Sequence, residues 1–471
     1  MAEEDGVDQA AARRYGRVSY WLETCGDDLT PRPALDGSID VDVAVLGAGF
    51  TGLWTAYHLA AADPSLRVAV VERDVAGFGA SGRNGGWCCA EFSLGAETLT
   101  RRVGHDGARR MLSALHGAVA RIGAVAAEEG IDAHYRRGGE LLLARGGHQW
   151  PGVAREHAAL VSLGFGSDYS LLGPQEVAGR VRACGAVGAL YTPHCAALHP
   201  GRLVRGLARA VERRGVSIYE GTAVTRVWPG RRPRLETARG DVRARTVVLA
   251  AEAYLSGLPG YRRAILPVYS LIVLTEPLSP EQWAALGWRD HECLASNRYT
   301  VDYLARTADG RILFGGRGAP YHFGSRIADR FDRHARAQAD LRRALVSWFP
   351  ALAGVRFSYA WGGPLGMARD GMPRVSYAPG AGLALAGGYT GQGVTLSHLC
   401  GHILADLILE RQTARTTLPI VGHPGRRWEP EPLRWLGVRL VQEGLRRVDQ
   451  RGDQSGRAPT GRSVAERLLP H

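Results

Sequence analysis

The sequence predicts an α/β protein of two interleaved domains, one a parallel sheet layered with helices and the other, α+β in character, built on a mainly antiparallel sheet. Three observations predict it. A short apolar run ends in a glycine turn that opens a helix within 41–62. The same order of strand, glycine turn and helix returns within 382–411. Between them lie β-branched apolar runs such as "YSLIVLTEPL" and "RILFGGRG". At 471 residues the chain exceeds what one core ordinarily organises. A 45% hydrophobic share with 62 glycines fits a globular protein and excludes general disorder.

The net charge is +12, and every one of the 58 basic residues is arginine. These arginines are scattered instead of gathered into a run, which argues against nucleic acid as a partner. Seven cysteines, an odd number without a CxxC or Cys/His spacing, read as reduced thiols and no metal site. The opening residues are acidic and then polar, so no secretion signal is expected. No apolar run approaches the roughly 18 to 20 residues of a membrane span. A soluble, cytoplasmic protein is the expectation.

Taken in order, residues 1–37 read as an N-terminal arm carrying "SYWLET" and the linker "TPRPALDGS". Val41, Val43 and Val45 alternate in a strand that stops at Gly47. The following "GAGFTG" spaces Gly47, Gly49 and Gly52 as G-x-G-x-x-G, with Phe50 and Thr51 entering a helix whose Leu53, Ala56, Tyr57 and Ala60 share one face. Each glycine has its own task. Gly47 permits the turn, Gly49 admits a pyrophosphate to the backbone, and Gly52 lets helix and sheet approach. A second strand, "RVAVVE", ends on Glu72, and 72 − 52 = 20 is the spacing at which an acid meets ribose hydroxyls. This is a Rossmann-type dinucleotide site. An acid there fits FAD or NAD and disfavours a 2′-phosphate, although Arg73 follows directly.

The next loop, "GFGASGRNGG", offers Ser81, Arg83 and Asn84 as donors between glycines, which suits a second phosphate and an extended ligand chain. Near the far end "GLALAGG" reads as a strand, "GYTGQG" (Gly388 to Gly393) as a second glycine turn, and Val394 to Glu410 as a helix. The positive end of that helix would favour the negative edge of a reduced flavin. After Gly422, "EPLRWLGVRLVQEGLRRV" reads as an Arg-rich amphipathic helix and "QRGDQSGRAPTGRS" as disordered.

These motifs, with "LHPGRLVRGLARA", "EGTAVTRV" and "TVVLAAEAY", resemble FAD-dependent oxidoreductases of the D-amino-acid-oxidase, glycine-oxidase and sarcosine-oxidase superfamily, most closely the γ-glutamylputrescine-oxidase-like branch. The resemblance implies an FAD domain assembled from 38–105, 193–258 and 360–412. It implies a substrate domain from 106–192 and 259–359, with 413–471 as C-terminal helix and tail. It places Gly47, Gly49, Gly52 and Glu72 on the ADP half of FAD, and Gly79, Ala80, Ser81, Arg83, Asn84, Gly85 and Gly86 near the pyrophosphate and flavin. Val224 falls to the adenine, Ala250 to the strand end beneath the cofactor, and Gly388, Tyr389, Thr390, Gly391, Gln392, Gly393 and Val394 to the ribityl and pyrimidine edge. In such enzymes a C–H beside an amine gives a hydride equivalent to the flavin, the imine hydrolyses, and O2 is reduced to H2O2.

Two departures narrow the reading. Thr395 stands where sarcosine-oxidase-like relatives carry a lysine for the substrate carboxylate, and the chain has no lysine to promote reaction with O2. No cysteine matches the position of their covalent flavin link, so non-covalent FAD is expected. Trp87, His199, Tyr254, Tyr269, Arg298 and Trp361 are candidates for the substrate pocket, with core packing the ordinary alternative for each. The expected function is an FAD-dependent amine oxidase acting on a polyamine, a γ-glutamyl-polyamine or a biosynthetic amine. A dehydrogenase on the same scaffold and a non-catalytic flavin-binding interaction protein are the rivals.

Overall fold

The computed structural model describes residues 12–316 and 321–469. The first eleven residues of the arm, the last two residues of "RILFGGRG" with the two after it, and the final two residues of the chain lie outside the described residues. Strands Val43–Leu46, Val68–Val71 and Thr246–Leu249 are buried along their whole length, as expected of parallel strands covered on both faces. They form the middle of a six-stranded sheet ordered Arg374–Ala378, Leu383–Gly387, Thr246–Leu249, Val43–Leu46, Val68–Val71, Ser217–Tyr219. All neighbours are parallel except the Arg374–Ala378 edge.

Side-chain alternation divides this sheet between two cores. Val43, Val45, Val68 and Val70 face helices Phe50–Ala62, Pro200–Glu212 and Gly393–Ile408. Ala44, Leu46, Ala69 and Val71 face Leu235 and Val242 of a four-stranded sheet made of Ile39–Asp40, Gly240–Arg243, Arg234–Thr237 and Val224–Trp228. Three layers result.

The second large sheet has eight strands, ordered Phe357–Met367, Leu266–Thr275, Ile312–Gly316, Asp302–Arg306, Cys293–Ser296, Glu140–Arg145, Ala186–Thr192, Ser170–Leu172. It is antiparallel apart from the pairing of Cys293–Ser296 with Glu140–Arg145, which agrees with the mainly antiparallel expectation. "YSLIVLTEPL" supplies its longest internal strand. Phe357–Met367 runs beside that strand to its first residue, with Leu266 opposite Met367, so the eight-stranded sheet extends past residue 360.

The described part of the arm, from residue 12, is fastened in place by hydrogen bonds. Ser19 Oγ donates to Gly82 O at 2.6 Å and Trp21 Nε1 to Asn84 O at 2.7 Å, which fastens "SYWLET" to the loop 79–86. The tail likewise departs from the expected disorder, because helix Leu433–Ser455 runs beyond residue 448 and a short helix follows at Val464–Arg467. Tertiary partners explain the difference. Asp449 accepts hydrogen bonds from Tyr299 N, Thr300 N and Thr300 Oγ1 at 3.1, 2.7 and 2.5 Å, and Glu466 accepts one from Tyr299 Oη at 3.0 Å.

Candidate active site

The two large sheets enclose a cavity of about 760 Å³. Its floor begins at the first glycine turn. Gly47 has φ +104°, and a Cβ there would stand 2.9 Å from Ala250 O, so strand end and turn meet only through glycine. A Cβ on Gly52 would lie 1.9 Å from Gly47 O, which shows why the third glycine carries packing and does not itself line the cavity. Gly49, Phe50 and Thr51 do line it, and Phe50 N donates to Ser81 Oγ at 2.8 Å.

Glu72 stands at the wall with Arg73 beside it. Its carboxylate accepts from Ala48 N at 2.9 Å and Asp74 N at 3.0 Å, yet burial outweighs these bonds and pushes its pKa up to about 7. Gly79, Ala80, Ser81, Arg83, Asn84 and Gly85 follow around the wall, and Val224 and Ala250 also border it. Gly86 sits behind, with φ +73° against Leu198 O. Asn84 closes its own loop by donating to Ala80 O and Ser81 O and accepting from Gly86 N. Arg83 is buried, donates through Nε to Phe78 O at 2.8 Å and pairs with Asp332.

The last glycine turn arrives from the far end of the chain. Tyr389, Gly391, Gln392, Gly393, Val394 and Thr395 line the cavity, while Gly388 and Thr390 shape the turn at φ +80° and +54°. Tyr389 Oη bonds Thr51 Oγ1 at 2.9 Å, which ties this turn to the first helix across 338 residues of sequence. Glu252 accepts from Gly388 N at 2.9 Å and Tyr389 N at 3.3 Å. Sequence reasoning missed Glu252, for no spacing rule marks an acid three residues past a strand.

Of the candidate substrate contacts, Trp87, Tyr254 and Arg298 line the cavity, as does Tyr303. Trp87 Nε1 is buried without a hydrogen-bond partner. Arg298 pairs with Asp453 at 2.8 Å and lies 3.8 Å from Asp449. His199, Tyr269 and Trp361 stand outside, each for a packing reason. His199 caps helix Pro200–Glu212 by accepting from Arg202 N, borders a separate small cavity, and burial lowers its pKa to about 3. Tyr269 Oη exchanges hydrogen bonds with the backbone of Ala328. Trp361 Nε1 donates to Arg83 O at 2.9 Å and so braces the loop from behind.

The thiols are all free. Strand Trp87–Cys89 pairs antiparallel with Cys195–Ala197, and Cys88 Sγ lies 3.5 Å from Thr395 Oγ1, its pKa pushed up to about 12 by burial. Although no metal spacing is legible in the sequence, the fold brings together His116, Asp168 and His194. His194 Nε2 bonds Asp168 and His116 Nε2 bonds Tyr169, so protein partners already engage both rings.

A family model described as "FAD dependent oxidoreductase", DAO, matches residues 42–407. The chain belongs to this family. Gamma-glutamylputrescine oxidoreductase of Escherichia coli (strain K12) is 32% identical over 426 residues, spanning 89% of this chain and 96% of the relative. Glycine oxidase of Geobacillus kaustophilus (strain HTA426) is 25% identical over 400 residues, 82% of this chain and 98% of that one. Among solved structures, glycine oxidase from Geobacillus kaustophilus superposes with a TM-score of 0.67 at 23% identity, covering 80% of this chain and 96% of the other. L-proline dehydrogenase from P.horikoshii gives 0.66 at 20% identity, covering 82% and 96%. The chain is thus an FAD-dependent oxidoreductase of the family whose homologues act on amines and amino acids. The wall at Gly47, Gly49, Gly79 and Ser81 and the turn at Gly391 to Gly393 fit such a cofactor, since glycine backbone itself borders the cavity there, as close approach to a pyrophosphate requires.

Proposed function

We propose that the chain oxidises a primary or secondary amine at the carbon bearing nitrogen, giving an imine that water converts to an aldehyde or ketone plus ammonia or an amine. One observation carries this reading. Arg73, Arg83 and Arg298, the arginines at the cavity wall, already face Asp74, Asp332 and Asp453, and Thr395, which the family resemblance matches to the carboxylate-binding lysine of sarcosine-oxidase-like enzymes, lines the cavity without a charge. Among the described cavity residues no unpaired cation is left to hold a substrate carboxylate, which favours an amine over an α-amino acid. The name of the Escherichia coli relative, an oxidoreductase of γ-glutamylputrescine, supports the same class.

FAD, when bound, supplies the two-electron acceptor. Gly47, Gly49 and Glu72 would hold its ADP half, with Gly52 keeping the helix close behind the turn, residues 79–85 its pyrophosphate, and Gly388 to Thr395 its ribityl and pyrimidine edge, without a covalent bond. The chain's own task is to desolvate and orient the amine, with Trp87 and Tyr303 as aromatic walls. No histidine is among the described cavity residues, so the nitrogen is oxidised from its neutral form without an imidazole base. O2 would take the two electrons and two protons to H2O2, in the cytoplasm where seven free thiols persist.

Anaerobic bleaching of the yellow absorbance by amines, followed by peroxide release on admitting air, tests the reading. A flavin that α-amino acids reduce and amines do not would overturn it. A dehydrogenase is the second reading, favoured by the lack of lysine and by the neutralised arginines, which leave little positive charge for superoxide. Bleaching by amines without peroxide in air would select it.

A further inference from the structure

Beyond the glycine turns the cavity runs into a lobe walled by the eight-stranded sheet. Glu140 and Leu142 project from one face of strand Glu140–Arg145, and their cross-strand partners Thr192 and Leu190 line the cavity beside them. Glu140 is only 4% exposed. Another acid, Glu91, stands beside it, and oxygen atoms of the two fall within 4.8 Å of each other and of Cys89 Sγ. Glu91 in turn accepts from Gln392 Nε2 at 2.6 Å, which places the pair beside the last glycine turn.

A lone buried carboxyl pair is costly unless something cationic completes it. Burial, then the neighbouring Glu91 charge, holds the Glu140 pKa well above the usual range. Glu156, on the helix Trp150–Ser162 at the same wall, is raised by burial as well, though it accepts from Ala96 N at 2.9 Å. Among the described residues no arginine or histidine forms an ion pair with any of the three, in a chain that pairs most of its other buried acids with arginine.

We propose that Glu140 and Glu91 form a subsite for a second ammonium group of the substrate, one that is not oxidised, with the alkyl chain lying along Leu142 and Leu190. This rests on the amine-oxidation reading. The nitrogen that loses electrons must be neutral, whereas a carboxyl pair favours the protonated form of whatever amine it holds, so the two roles fall to different nitrogens. The substrate class is an α,ω-diamine or an aminoalkyl compound with a distal ammonium. A divalent metal is the poorer occupant, because the thiol of Cys89 is held protonated by its sulfur neighbour and by burial.

The test compares 1,4-diaminobutane, 1-aminobutane and 4-aminobutanoate as anaerobic reductants of the flavin-loaded protein, and titrates the diamine by calorimetry. In the wild type the diamine should half-reduce the flavin at a concentration about tenfold below the monoamine, the worth of one hydrogen bond to a charged group. That gap should close to about twofold in both Glu140→Gln and Glu91→Gln, each checked for full flavin absorbance. No gap in the wild type, a gap that persists in both variants, or preference for 4-aminobutanoate would overturn the subsite while leaving amine oxidation standing. Calorimetric binding of the diamine that is lost in the variants, with no amine reducing the flavin, would uphold the subsite and sink the oxidation reading. Binding of Mn2+ but not of diamine would overturn the subsite.

Discussion

Glu252 belongs to no nucleotide motif, yet it holds the last glycine turn against the end of strand Thr246–Leu249. It does so from φ +45°, a conformation that ordinarily favours glycine, and its carboxylate is the acceptor for Gly388 N and Tyr389 N. Burial exceeds the effect of those bonds and moves its pKa from 4.5 up to about 7. The folded protein therefore holds this proton more tightly than the unfolded chain. The resulting stability is complete below the unfolded value and is lost as pH rises through the folded one. Glutamine keeps an acceptor but cannot titrate. In flavin-free protein the melting temperature of Glu252→Gln, taken relative to wild type, should rise between about pH 5 and about pH 8. Parallel melting curves across that range would show that no such proton is held.

Elements tell the same story through their partners. The helix Leu433–Ser455 buries Asp449, whose oxygens receive two backbone N–H groups and one hydroxyl from Tyr299 and Thr300, next to the cavity residues Ser296, Asn297 and Arg298. Asp449→Ala strands those donors, with an expected loss of about 2–3 kcal/mol. Hydrogen exchange should quicken at residues 297–301 and not in the six-stranded sheet. Unchanged exchange in that loop would mean that the tail merely lies on the surface. The strands and the glycine turns were legible in the sequence because each is written in a few adjacent residues: Val43 to Leu46, Gly47 to Gly52, Leu383 to Gly387. The ordering of the tail was not, because its ties join Arg298 to Asp453 and Tyr299 to Glu466, pairs about 150 residues or more apart that leave no local pattern. His199, Tyr269 and Trp361 illustrate the converse. Their residue types suit a pocket, and only the fold reveals that each spends its polar atom on a backbone group or a helix cap.

The whole molecule is held together at the loop 79–86. Arg83 reaches from it to Asp332, which the chain supplies from between strands Ile312–Gly316 and Phe357–Met367 of the eight-stranded sheet. Trp361, within that sheet, donates to Arg83 O, while Ser19 and Trp21 of the arm donate to Gly82 O and Asn84 O. Most of the same loop lines the cavity, so the segment that joins the layers is also a wall of the candidate site. Neither sheet is a contiguous stretch of chain, and the six-stranded one draws on residues from Val43 to Gly387. Separate melting of two domains is therefore not expected. Flavin-free protein should unfold in one calorimetric transition. FAD at a hundredfold excess over its dissociation constant should move that whole transition upward by about 2.7 kcal/mol of stability. Two transitions, of which FAD shifts only one, would mean that the junction at Arg83 does not couple the layers. The shared loop would then position the cofactor without carrying its binding energy into the eight-stranded sheet.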